Sequence, residues 1–140
     1  MSAEQVIVAL LLGDPALGSL VPAGRIYPGV IPQTAALPAL AYSHVSSVER
    51  PTLSAREATT TVTSRIQVTV AAKTYPDQKR ILDAVRVACN NQRGSIGGVA
   101  VLNVRRESVG PDFENVEASV YSLSIDFKVT FNEARIPATP

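Results

Sequence analysis

The stretch Val116–Asn132 constrains this chain more than any other. From Tyr121 to Phe131 the odd positions are Tyr121, Leu123, Ile125, Phe127, Val129 and Phe131, and the even positions are Ser122, Ser124, Asp126, Lys128 and Thr130. Apolar residues at every second position specify a strand with one face on a core and the other on water or a partner. Two of the three Phe and one of the four Tyr lie on the apolar face, and the chain has no Trp, so this is its densest aromatic surface. The other elements are expected to pack onto it. Laid flat, residues 117–131 would span about 50 Å at about 3.4 Å per residue. A compact domain of 140 residues is about 40 Å across. The strand must therefore bend at a bulge or project, and some sheet surface is expected to serve a neighbour.

A second long strand is expected over Thr59–Ala72. Val62, Ile66, Val68, Val70 and Ala72 fall on one face, with Ser64 interrupting it, and Thr61, Thr63, Arg65, Gln67 and Thr69 fall on the other. Its β-branched residues favour strand over helix. Leu40–Val48 and Gly98–Glu107 read as two more strands. Short loops join them to the long ones, which predicts two antiparallel pairs.

Two helices are expected. Ser2 and Gln5 have capping-box spacing, so the first runs from residue 3 to about Leu12, where Gly13-Asp14-Pro15 ends it. Val6–Leu12 is apolar all round, which requires cover on more than one side. The second starts after Thr74, with Pro76 and Asp77 in its first turn, and runs to about Asn91. Prolines at 15, 22, 28, 32 and 38 forbid a long element over residues 13–39. A helical turn over Asp14–Leu20 and a brief edge strand at Arg25-Ile26-Tyr27 are the most that stretch holds. The expected fold class is α+β, a single domain over residues 1–132 with a C-terminal tail at 133–140. Its architecture is a four-stranded antiparallel sheet with both helices on one face, in the order α-β-β-α-β-β.

Thirteen basic and twelve acidic residues leave a net charge of +1, so no strong field points to nucleic acid or a membrane surface. The single cysteine, Cys89, excludes an internal disulfide and fits a reducing compartment. The apolar run Val6–Leu12 is seven residues long, far short of the roughly 20 a spanning helix needs. No basic residue precedes it, so a signal peptide and a membrane segment are not expected.

Few residues offer chemistry. His44 is the only histidine and has no metal-ligand spacing around it, so a structural or surface role is the simpler reading. Cys89 falls on the apolar stripe of the second helix, where a cysteine acts as a small hydrophobe. Gly94–Gly98 follows a helix and precedes a strand, the wrong order for a phosphate loop, and it lacks the lysine. It reads as a helix cap and chain break. Arg105 and Arg106 could meet DNA phosphates, but with Glu107 beside them a mixed solvated edge is the simpler reading. The loop 49–58 sets Glu49, Arg50, Arg56 and Glu57 around Leu53. It is either solvated or the segment that reaches a partner. These seven residues (Glu49, Arg50, Leu53, Arg56, Glu57, Arg105 and Arg106) are the candidate interface. No catalytic residue, cofactor or metal is expected.

At this point the chain resembles a known family, the tail-completion or tail terminator proteins of long-tailed bacteriophages and prophages. The likeness runs over residues 3–131. It rests on the short apolar N-terminal helix, Arg25-Ile26-Tyr27-Pro28, Leu37-Pro38-Ala39-Leu40-Ala41-Tyr42, Arg65-Ile66-Gln67-Val68-Thr69-Val70, Lys73-Thr74-Tyr75, Asp83-Ala84-Val85-Arg86 and Tyr121-Ser122-Leu123-Ser124-Ile125-Asp126-Phe127. Two features depart from the pattern: Ala71-Ala72 stand where relatives often have an aromatic, and residues 133–140 extend past the last strand. The resemblance implies a non-enzymatic structural virion protein that assembles in the host cytoplasm. It implies a self-associating ring, commonly a hexamer, at the head-proximal end of the tail tube. Its partners would be the tail tube protein and the head connector or neck protein, with DNA passing through the lumen without specific binding. A different neck ring, such as a head-completion protein, and a small enzyme or ligand-binding domain stand as alternatives.

Overall fold

The computed structural model describes residues 2–50, 59–115 and 120–134. In chain order the elements are α1 (Ser2–Leu12), α2 (Pro15–Leu20), β1 (Ile26–Pro28), β2 (Ala39–Arg50), β3 (Thr59–Ala72), α3 (Tyr75–Cys89), β4 (Gln92–Ile96), β5 (Val99–Val109), β6 (Phe113–Asn115) and β7 (Val120–Ala134). The strands form one sheet in the order β1-β2-β3-β7-β5-β4, and β6 pairs with the start of β7. Every pair is antiparallel except β1 with β2.

This corrects the expected four-stranded antiparallel sheet with two helices in the order α-β-β-α-β-β. Among the described residues the sheet is mixed and has seven strands, and there are three α-helices and a 3-10 turn at Ala23–Arg25. Of the strands beyond the expected four, β1 lies at the brief edge strand expected over Arg25-Ile26-Tyr27, while β4 and β6 are additional; all three are short and carry little side-chain pattern. β1 is three residues long, ends in Pro28 and pairs in parallel. β4 lies across what reads as a chain break: Gly97 and Gly98 both have positive φ, at 59° and 80°, between the paired residues Ile96 and Val99. Two residues of that kind make a hairpin turn whose twist suits the strands it joins. β6 is three residues of the stretch read as a loop. The third helix, α2, is the turn expected over Asp14–Leu20, extended because the Asp14 carboxylate accepts from the amides of Ala16 and Leu17.

The two expected antiparallel pairings are present. β2 pairs with β3, and β5 pairs with β7. The central pair is β3 with β7, in unbroken register from Thr59↔Ala134 to Ala72↔Tyr121. No bulge relieves its length. The bulges fall instead on the flanking strands, at His44/Ser46 in β2 and at Val101/Asn103 and Arg106/Ser108 in β5. They let the neighbours follow a long twisted pair. Of residues 133–140, read as a tail, Glu133 and Ala134 continue β7, and 135–140 lie outside the described residues.

The alternation in β3 and β7 predicts the core. Val62, Ile66, Val68, Val70, Leu123, Ile125, Phe127, Val129 and Phe131 are buried. Ser64, on the same face, is also buried, and its hydroxyl shares a 2.7 Å hydrogen bond with that of Ser47. Over this face α3 packs on β3 and β7, α1 packs on β2, β3, β5 and β7, and α2 packs on α1 and α3. Thr74 caps α3 by accepting from the Asp77 amide, and Ile81, Val85, Ala88 and Cys89 are buried along it. Gln78 of α3 is fully buried, and neither atom of its amide has a partner among the described residues. α1 turns Ala3, Val6, Ile7 and Leu11 inward, while Leu12 stays half exposed. It lies so close to the β4–β5 turn that a Cβ on Gly97 would sit 3.0 Å from the Gln5 carbonyl oxygen.

Candidate functional site

Two surfaces remain after the core is built: the polar face of the sheet and its two margins. The polar face follows from the same period-2 pattern. Across β3 and β7 it carries hydroxyl rungs: Thr63 to Thr130 at 3.1 Å, Thr69 to Ser124 at 3.0 Å, and Thr61 donating to Asn132 at 3.0 Å. Register places Arg65 opposite Lys128 and Lys128 opposite Arg105, so three cations stand in one row across β3, β7 and β5. Like charges directly opposite destabilise a sheet unless something offsets them. Two carboxylates do so. Asp126 accepts from Arg65 Nε at 2.8 Å and Nη2 at 2.6 Å, and Glu107 lies 3.4 Å from Lys128 Nζ. Arg105 has no ion pair among the described residues. A depression of about 370 Å³ lined by Thr61, Thr63, Asn103, Arg105, Lys128 and Thr130 opens beside it. The far end of the face meets residues 29–37, and between them lies a mostly apolar cleft of about 430 Å³.

The margins come from strand lengths. Among the described residues β1 covers β2 over Leu40–Tyr42, and Ser43–Arg50 is paired on the β3 side alone. At the other end of the sheet, among the described residues, β4 is paired on its β5 side alone. Val45 and Val48 are exposed along the first margin, and Leu102 is exposed on β5 beside the second.

A separate polar clasp ties α3 to the loop before β6. Asp112 accepts from the Tyr75 hydroxyl at 2.9 Å and from Lys79 Nζ at 2.6 Å. Lys79 lies 4.9 Å from the centre of the Tyr75 ring, which meets Tyr121 edge-on. The hydrogen bond to Lys79 holds the Asp112 carboxyl below the usual carboxylate range, and the same bond raises the ammonium.

The candidate residues scatter over these surfaces. Glu49 is exposed near the end of β2, and Arg50 is its last residue. Leu53, Arg56 and Glu57 lie outside the described residues. Arg105 and Arg106 are exposed on β5, and the Arg106 amide donates to the Asn90 side chain. His44 Nε2 bonds the Ser47 hydroxyl at 2.6 Å, extending the Ser47–Ser64 chain. Cys89 is buried, and burial pushes its thiol up to about 12, so it holds no thiolate at neutral pH. No group of three His, Cys, Asp or Glu able to hold a metal occurs among the described residues. The β4 margin, with exposed Arg93, Gly94 and Ser95, escapes the sequence reading because its glycines look like a break. The Gly97-Gly98 pair between apolar Ile96 and Val99 was the available hairpin signal.

The family model of the tail completion protein gp17 matches residues 5–132. The chain belongs to this family. As a tail completion protein it is a structural component of a virion tail. Its fold is similar to a chain of the virion of a native gene transfer agent particle, with a TM-score of 0.66 at 11% identity over 91% of this chain and 92% of that one. At that identity the likeness establishes the fold. No curated protein matches the sequence.

Proposed function

We propose that this tail completion protein is the subunit of a ring at the head-proximal end of the tail tube, where it stops tube growth and meets the head connector. The observation that carries this reading is family membership over residues 5–132. The molecule is consistent with a subunit that works by contact. Its chemistry-bearing residues are occupied structurally: Cys89 sits in the core and His44 in a hydroxyl chain. Its unpaired strand margins and the exposed ends of β2 and β5 offer surface for neighbours. Glu49, Arg50, Leu53, Arg56, Glu57, Arg105 and Arg106 belong to that contact surface in this reading. The ring is commonly six-fold in proteins this chain resembles, and DNA would pass through its lumen without base-specific contacts.

The test is to image tails made with and without the protein. Without it, tubes of uncontrolled length that fail to join heads are expected, and adding purified protein restores uniform tails. Normal tubes with heads that leak DNA would overturn the tail-end position and favour a head-completion ring. The double variant Arg50→Glu, Arg56→Glu is expected to fold normally and to weaken capping of purified tubes. Uniform tails made with that folded variant would remove the loop from the contact.

A further inference from the structure

Two hollows lie back to back through one end of the sheet. Thr61 and Thr63 of β3 and Thr130 of β7 line the polar depression beside Arg105 and Lys128. Val62 and Phe131, which alternate with those threonines, line a second hollow of about 160 Å³ on the helix side, where Ala3 of α1 forms part of the wall. Glu49 and Glu133 line that second hollow too. Register puts Glu49 opposite Val62 and Glu133 opposite Thr60, so both carboxylates fall on the helix side. Arg105 lies opposite Lys128, and Lys128 lies opposite Arg65, so the cations fall on the polar side.

Each hollow is electrically unbalanced, and the two imbalances are opposite. Glu49 and Glu133 are exposed, and neither has an ion pair among the described residues. Two carboxylates in one hollow repel, and the N-terminus of α1 beside them offers only about half a positive charge. On the other face Arg105 is exposed without an ion pair among the described residues, and Lys128 has only the 3.4 Å contact with Glu107. Threonine hydroxyls and the Asn103 amide surround these cations with neutral polar groups. That lining suits a carboxylate, which takes charge-assisted hydrogen bonds from arginine and lysine. It suits a polyanion such as DNA less well, because three cations against two carboxylates, Asp126 and Glu107, leave the row a single net charge. The placement also decides the kind of contact. The hollows open to opposite sides of one sheet, so a copy lying on one face does not reach the other. Each copy then meets one neighbour through its acidic hollow and a different one through its basic hollow. A contact of that kind is heterologous and closes into a ring when the rotation permits.

We infer that Glu49 and Glu133 of one copy of this chain dock into the Arg105–Lys128 hollow of a second copy, the helix side of one sheet end lying over the polar side of the next. The inference rests on the ring reading above and adds which surfaces close the ring. The order of contacts is head to tail, and no two-fold dimer satisfies both hollows.

Two charge-reversed proteins and their mixture test it, each full length, both concentrated and on purified tail tubes, with assembly read by sedimentation and electron microscopy. Arg105→Glu alone, and Glu49→Arg with Glu133→Arg, are each expected to weaken assembly about fivefold per contact, the scale of turning a surface attraction into a repulsion. An equimolar mixture of the two is expected to regain the parental strength, because every contact between unlike copies is again a pair of opposite charges. Rescue by mixing requires that the groups meet between subunits. Thermal midpoints in dilute solution equal to the parent's establish that both variants fold. Midpoints that fall would show the charges paired within one chain and overturn the joint. Variants that each assemble at the parental strength, or a mixture that does not recover, would overturn it while leaving the ring reading intact. So would an Arg105→Glu protein that assembles as the parent does but loses retention of a duplex DNA probe, which would assign the hollow to phosphate. A parent protein that forms no ring in either setting would overturn the ring reading and the joint with it.

Discussion

The two faces of the β3–β7 pair take alternate rungs of one ladder and solve opposite problems. On one face Val62, Ile66, Val68 and Val70 meet Phe131, Phe127, Ile125 and Leu123, all buried under the helices. On the other, hydroxyls meet across the intervening rungs and one ion pair, Arg65 with Asp126, runs diagonally between them. The first face is held by area removed from water, which is non-directional and large. The second is held by pairwise hydrogen bonds, each directional and each small once exchange with water is counted. The apolar face thus supplies stability, and the polar face supplies register. A slip of one residue would put Phe127 in water and Lys128 in the core.

The largest test of that contrast is Phe127→Ala. Phe127 is fully buried mid-strand, and its loss should cost about 3–5 kcal/mol in a denaturant titration. A cost below about 1 kcal/mol would mean the helices can collapse into the space. The next is Asp126→Ala on the opposite face. It strands Arg65 and leaves Lys128 between two cations, and a loss of about 1–2 kcal/mol is expected. If the loss equals that of Phe127→Ala, the faces do not differ as described.

Gln78→Leu tests the one place where the apolar side breaks its own rule. The Gln78 amide is buried without a partner among the described residues, so replacing it should raise stability by about 1 kcal/mol, read as a higher unfolding midpoint. A loss would show that the amide is satisfied in solution. The smallest effect is expected for Thr130→Val, which breaks one hydroxyl rung and should change stability by less than about 0.5 kcal/mol. In acid the clasp at Asp112 gives a further, local readout. Its carboxyl has a lowered value in the fold, so its contribution is present above the ordinary value of 3.8 and is lost as pH falls through the lowered one. A chemical-shift titration of Tyr75 and Lys79 should therefore stay flat down to that range.

Long, patterned elements were legible in the sequence. Thr59–Ala72 matches β3 end to end because nearly every second residue is β-branched and buried. The start of α3 was legible because Thr74, Pro76 and Asp77 each act within one turn. The sheet order was not. β1, β4 and β6 are three to five residues long, and such strands hold their place through backbone bonds to a neighbour, which leave no side-chain signature. The candidate surface suffered for the same reason. The reading placed recognition in the charged loop 49–58 and on Arg105-Arg106, and it passed over Arg93 because Gly94–Gly98 looked like a break.

β7 is the last strand among the described residues and lies inside the sheet, flanked by β3 on one side and β5 and β6 on the other. Its rungs to β3 join residues far apart in the chain, 71 positions at Thr61 and Asn132. Such pairings form late because a long loop must close first. During synthesis β3 and β5 wait with open edges until the C-terminal strand leaves the ribosome, and the core has no floor before then. The order of manufacture thus becomes a checkpoint. A chain truncated before residue 120 cannot complete the sheet, so ribosome-stalled fragments of that length should stay protease-sensitive while the finished chain becomes resistant. For a protein that must join an assembly as a finished part, this ordering withholds the assembled surface from every incomplete copy.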